Sequence, residues 1–265
     1  AYPCDLFSSR GTSRELESVM HGSAQDMLTA ELGRAHVAAH AAAMPDSSPG
    51  RALHLAAKRL HGDLIVVGSA HRGAIGRVLA GDVTMGTLHG AECPVIVAPR
   101  GYAERASGLQ TIGVGFDGSP EARAATELAR ELADAAGARL KVIRVLEPAP
   151  ARGSVLAYHP GWAAGEEERR DEAQAELDAV LAELGQTATG EVVIGGAANE
   201  LAHAGNDLDL LVTGSRGYGP ARRLMLGSTS ARLVREAPCP VLVLVRGVET
   251  DRRDLDVEVA SGQTP

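Results

Sequence analysis

A chain of 265 residues has room for one large domain or two of ordinary size. Hydrophobic residues make up 45% of it but aromatics only 3%, so a core has to be built from Val, Leu, Ile and Ala, which excludes a disordered chain and suits parallel strands buried on both faces. A net charge of −8 argues against nucleic acid as a partner, although a few backbone N–H groups can still hold a single nucleotide.

In chain order, the apolar periodicity predicts a helix over 13–33, a strand over 35–43 and a helix over 50–61. The run DLIVVG at 63–68 reads as a strand, 82–90 as a helix and PVIVAP at 94–99 as a further strand. Residues 102–110 read as a linker. TIGVGFD at 111–117 is then a buried strand, and Pro120 with Glu121 opens a helix that stops at Gly137, a C-cap. RLKVIRVL at 139–146 is the next strand, followed by a loop rich in Pro and Gly, and 166–184 is a charged amphipathic helix. Strands at 190–195, 208–214 and 240–245 alternate with a short helix at 197–205 and another starting near Ser228. Such alternation implies a doubly wound parallel sheet. The tail, 248–265, has no apolar period and is expected to be flexible.

One internal offset, 146 residues, runs through the chain. Between 63 and 101, 15 of 39 positions match their partners at that offset without a gap, including Gly68-Ser69 with Gly214-Ser215 and Cys93-Pro94-Val95 with Cys239-Pro240-Val241. The domain reading is therefore a first repeat over 1–101 and a second over 111–247, both α/β and Rossmann-like. No counterpart of 111–146 precedes the first repeat, so its first strand, helix and second strand, about 36 residues, are expected to be absent and sheet edges to be exposed. An N-terminally incomplete sequence is the expected reason, and a partner chain that supplies the strands is the alternative.

The sharpest local motif is GSRGYGPARRLMLGSTS at 214–230, a Gly-x2-Gly-x9-Gly-Ser pattern that follows a strand and opens a helix. Gly214 and Gly217 let backbone N–H groups approach an anion, with Ser215 between them. Gly227, Ser228 and Thr229 form a helix start, where free N–H groups and the helix dipole favour negative charge. Ser228 can either cap that helix or give its hydroxyl to a phosphate. No P-loop lysine occurs, and Arg216, Arg222 and Arg223 are nearby cations. A glycine-rich turn can also be only a turn. Asp117, in Asp-Gly-Ser-Pro, is either a ligand contact or a turn or cap residue. At the first repeat's equivalents of Gly217 and Ser228 stand His71 and Asp82; a carboxylate facing phosphates is repulsive, so no ATP is expected there.

With the motif, the strand ending GFDGSPEA and the closing CPVLVLVR, the chain resembles the universal stress protein family over residues 1–246. The resemblance implies a five-stranded parallel sheet with helices on both sides and an ATP site, where Mg²⁺ can accompany the phosphates without a dedicated protein cage. It implies that Asp117 and Val145 contact the adenine, that Gly115 and Gly214 lie near the ribose, and that Gly217, Gly227, Ser228 and Thr229 hold the phosphates.

The leading expectation is an ATP-binding regulator of the stress response with at most slow hydrolysis, because no general base or metal-binding carboxylate pair stands out near the motif. Its rivals are an interaction module that binds no nucleotide and an ATP-using transferase with a substrate site on the loop holding Tyr158, His159 and Trp162. The apolar last strands could pair repeat with repeat, as an intrachain pseudo-dimer, or chain with chain, as a homo-oligomer. Cys4, Cys93 and Cys239 fit neither a disulfide framework nor a zinc site. No apolar run of about 18 residues occurs, so neither a membrane span nor a membrane partner is expected. No signal peptide is visible, and a cytoplasmic location is expected.

Overall fold

The computed structural model describes residues 13–69, 82–102, 108–148, 160–185, 187–215 and 226–244. Seven strands, β1 (Ile65–Gly68), β2 (Val95–Ala98), β3 (Thr111–Phe116), β4 (Arg139–Leu146), β5 (Ala188–Ile194), β6 (Leu210–Gly214) and β7 (Val241–Leu244), form one sheet in the order β1-β2-β7-β6-β3-β4-β5. The helices are α1 (Ser13–Ala35), α2 (Pro49–Leu60), α3 (Asp82–Leu88), α4 (Pro120–Ala136), α5 (Pro160–Leu184), α6 (Ala197–Ala204) and α7 (Ser228–Glu236).

Strands within each repeat are parallel, as the alternation of strand and helix requires. The repeats join where β2 meets β7, and there the pairing is antiparallel. Its register places Ile96 opposite Leu242, Val95 opposite Val243 and Val97 opposite Val241. Ile96 and Leu242 are equivalents at the 146-residue offset, so a local twofold axis passes between them. The expected pairing of repeat with repeat through the last strands is therefore how this sheet is built.

Alternation along the strands divides the core between two faces. One face gathers Val95 and Val97 of β2, Val241 and Val243 of β7, Ile143 and Leu211, with Leu201 and Leu233 of α6 and α7, so it runs across the join. The other gathers Ile112, Val114, Leu140, Val142 and Leu242 under α4 and α5. Helix α4 is written plainly in the sequence. Ser119 is its N-cap and accepts from the Ala122 N–H at 3.2 Å, Pro120 opens it, and Gly137 ends it with φ 64°, a left-handed cap that glycine adopts without a Cβ penalty.

The strand predicted over 35–43 does not form; residues 37–44 have no regular structure. In the second repeat the third strand, β5, pairs with β4, whereas the described residues before 37 form only helix α1 and offer it no strand. The Gln25 amide takes over part of that role. Its Nε2 donates to the Ala41 carbonyl at 2.7 Å and its Oε1 accepts from the Ala43 N–H at 3.1 Å. Strand β1 consequently lies at an edge. Val66 is 60% exposed where its equivalent Val212, between β3 and β7, is fully buried, and Leu64 is 41% exposed against 4% for Leu210. These two residues face the side that α4 covers in the second repeat.

The join supports both repeats through one core, so a charge placed in it has no partner to pair with. Replacing Val243 with Asp is expected to lower the unfolding free energy by about 3–5 kcal/mol, measured by urea denaturation, with wild type unfolding in a single transition.

Candidate functional site

Chain direction reverses about β3. From β3 the chain passes through α4 to β4 and then β5 on one side, and later returns to β6 on the other. A crevice therefore opens at the carboxyl ends of β3 and β6, the place where open α/β sheets bind ligands. A cleft of about 380 Å³ lies there, within the size range of small-molecule sites.

The structure brings most of the sequence-predicted residues to this cleft. Gly115 and Asp117 reach it from β3, Val145 from β4, Gly214 and Ser215 from β6, and Gly227 and Thr229 from the start of α7. Ser228 is exposed beside the cleft but does not line it, and Gly217 lies outside the described residues. So do His71, Arg216, Arg222, Arg223, Tyr158 and His159. Trp162 falls in the first turn of α5.

Asp117 performs the turn role allowed by its sequence context: its Oδ1 accepts from the Ser119 N–H at 3.1 Å, and Gly118 follows with φ 80°. The helix cap is Ser119, not Asp117. The cap of α7 is likewise not Ser228. Gly227 occupies the N-cap, Ser228 is the first helical residue, and no side chain caps the helix. A glycine N-cap leaves the leading N–H groups of α7 without a side-chain acceptor, which is the electrostatic condition for an anion at that end.

Gly214 has a second reason to be glycine. A Cβ there would lie 2.9 Å from the Glu121 carbonyl oxygen and 3.0 Å from its carbonyl carbon, so the first turn of α4 rests directly on the end of β6. That contact closes the crevice from behind. Ser230 closes it from α7, its Oγ donating to the Gly214 carbonyl at 3.0 Å. Thr84 makes the equivalent bond to the Gly68 carbonyl at 3.2 Å in the first repeat. Sequence reasoning missed Ser230, although a hydroxyl at both members of the pair 84 and 230 was a signal for it.

Two cations were also missed. Arg144 and Arg169 line the cleft. Arg144 pairs with Glu176 at 3.2 Å while its Nε is buried without a partner, and Arg169 bonds Glu166 at 2.9 Å and the Glu147 carbonyl at 3.0 Å. Both positions look like ordinary surface charge in the sequence; only the register of β4 against α5 shows where they go. Outside the cleft, Cys239 is buried and Cys93 half-buried, and neither is in a disulfide. Burial, then the charges of Asp63 and Glu92, push the Cys93 thiol up, away from the reactive thiolate.

Among the described residues no helix is long and apolar enough to cross a membrane, and no group of three or more His, Cys, Asp or Glu side chains could hold a metal.

Comparison with known proteins completes the description. The model of the universal stress protein family matches residues 8–99 and again 108–246. A Thermus aquaticus protein named universal stress protein in QAH/OAS sulfhydrylase 3'region is 34% identical over 139 residues, which is 51% of this chain and 98% of that protein. A universal stress protein of Mycolicibacterium smegmatis is 30% identical over 187 residues; the match takes in 68% of this chain and only 61% of that relative's length. The crystal structure of a universal stress protein from Archaeoglobus fulgidus DSM 4304 superposes with a TM-score of 0.64 over 93% of this chain and 86% of that one, at 21% identity, and so has the same fold.

Two outcomes follow from the geometry. Replacing Gly214 with Ala is expected to displace the first turn of α4 and cost about 1–3 kcal/mol in chemical denaturation. Alkylation of Cys93 at pH 8, followed by peptide mass spectrometry, is expected to run slower than that of the same sequence as a free peptide.

Proposed function

Because the chain belongs to the universal stress protein family, we propose that it is a nucleotide-dependent regulator of the stress response that binds ATP in the cleft of its second repeat. The observation that carries this reading is the convergence, at the β3–β6 crevice, of Asp117 on one side and the glycine-capped start of α7 on the other. The donor set suits the ligand. Val145 offers an apolar surface to a flat base, and a carboxylate such as Asp117 accepts from an exocyclic amine like that of adenine. In this reading Gly115 and Gly214 lie near the ribose, Gly227, Thr229 and the leading N–H groups of α7 hold the phosphates with Ser228 beside them, and Gly217 is a further phosphate contact. Mg²⁺ would arrive on the phosphates, without a dedicated carboxylate cage. A bound ATP would supply a labile phosphoanhydride; the described residues that line the cleft include no histidine or cysteine, and slow turnover at most is expected. In the first repeat Asp82 stands at the start of α3, the equivalent of Ser228, and ATP is not assigned there.

Protein purified and then denatured should release adenine nucleotide, detectable by chromatography, and protein stripped of it should bind ATP in calorimetry. Gly217→Val should abolish that binding, and Asp117→Ala should weaken it about tenfold while reducing the preference for adenine over guanine. Absence of both released nucleotide and binding heat would leave the interaction module as the better reading. Acceleration of ATP consumption by an acceptor substrate would favour a transferase.

A further inference from the structure

The two repeats place equivalent serines at the ends of equivalent strands, Ser69 after β1 and Ser215 after β6. Their backbones do the same work. The Ser69 N–H donates to the Ala98 carbonyl at 2.8 Å, and the Ser215 N–H donates to the Leu244 carbonyl, its equivalent, at 3.2 Å. Their hydroxyls do not. Ser69 Oγ accepts from the Arg100 N–H at 3.1 Å, which fastens the end of β1 to the chain leaving β2. Ser215 Oγ is buried, in a residue only 1% exposed, and has no hydrogen-bond partner. Arg246, the equivalent of Arg100, lies outside the described residues.

A buried hydroxyl without a protein partner is unfavourable and rare in a folded protein, and where it persists an ordered water, an ion or a bound group supplies the partner. Ser215 lines the cleft. The bond from Ser230 to the Gly214 carbonyl holds it beside the first turn of α7, the anion-favouring end of the site. We infer that the Ser215 hydroxyl donates to a phosphate oxygen of the bound nucleotide and so sets the preference for phosphorylated ligands over the nucleoside. This rests on the nucleotide reading of the cleft.

The contrast between the serines supplies the test, using the full chain, calorimetry with ATP and with adenosine, and thermal unfolding without ligand. Ser215→Ala should leave the ligand-free melting temperature unchanged or raised, because it removes an unsatisfied group, while weakening ATP binding about tenfold or more and leaving adenosine binding unaltered. Ser215→Cys, nearly the same size with a poor donor, should behave alike and guards against loss of fold. Ser69→Ala should lower the melting temperature, since the Arg100 N–H loses its acceptor, and leave ATP affinity as in wild type. A Ser215→Ala protein that binds ATP as tightly as wild type, or that loses ATP and adenosine equally, or that melts as early as Ser69→Ala, overturns the inference while the nucleotide reading stands. A wild-type protein that binds neither ligand overturns both.

Discussion

Parallel pairing on both sides of β3 is the constraint from which the site follows. Ile112, Gly113 and Val114 are paired with β6 on one edge and with β4 on the other, so β3 is interior, and the chain passes from β3 to β4 and from β6 to β7 in opposite directions across the sheet. A gap between those departures is unavoidable, and it lies at the carboxyl ends of β3 and β6. What fills its back wall is backbone: the first turn of α4 seated on Gly214. What frames its front is a helix start capped by a glycine. The site is thus a consequence of topology first, and of side chains second.

The first repeat shows what happens when that constraint is missing. Strand β1 has the apolar character of β6 and the same follow-on serine, yet it pairs only with β2. Among the described residues no strand pairs with its other edge, and Val66 and Leu64 are exposed where Val212 and Leu210 are buried in the core under α4. The difference between the repeats is therefore not confined to a carboxylate at Asp82 replacing a hydroxyl at Ser228. It extends to strand pairing among the described residues, where β6 has a neighbour on both edges and β1 on one.

Much of this was legible in the sequence because it depends on local chemistry. Ser119-Pro120 and Gly137 bracket α4, and the apolar run 139–146 coincides with β4, since caps and buried runs act over a few residues. Seven of the eight expected strands form, and the doubly wound class followed from alternation and the 146-residue offset, whereas the order of strands in one shared sheet did not. The strand expected over 35–43 failed because apolar content cannot report whether a pairing partner exists; Gln25, eighteen residues from Ala43, was not a visible substitute. At α7 the pattern Gly-Ser invited the hydroxyl as cap, whereas the backbone places Gly227 there and moves Ser228 one position inward. Arg144, Arg169 and Ser230 entered the cleft through register and helix docking, which a one-dimensional pattern does not encode. The absence of a partner for Ser215 Oγ is likewise a property of three-dimensional surroundings.

Site and join share structure more closely than their separation in sequence suggests. Ser215, at the cleft, donates its N–H to the carbonyl of Leu244, the last residue of β7, and β7 is the strand that pairs with β2. Val241 and Val243 of that strand pack in the same core as Leu211 behind the cleft and Val95 and Val97 across the join. Strand β7 therefore cannot shift to suit the cleft without disturbing valines that the other repeat also needs, because a core packed at protein density transmits displacement and does not absorb it. That makes the second-repeat site rigid on its β7 side. Any accommodation of a ligand falls to the opposite side, where the end of β4 meets α5 through two polar contacts, the half-exposed Glu176 on Arg144 and the bond of Arg169 to the Glu147 carbonyl.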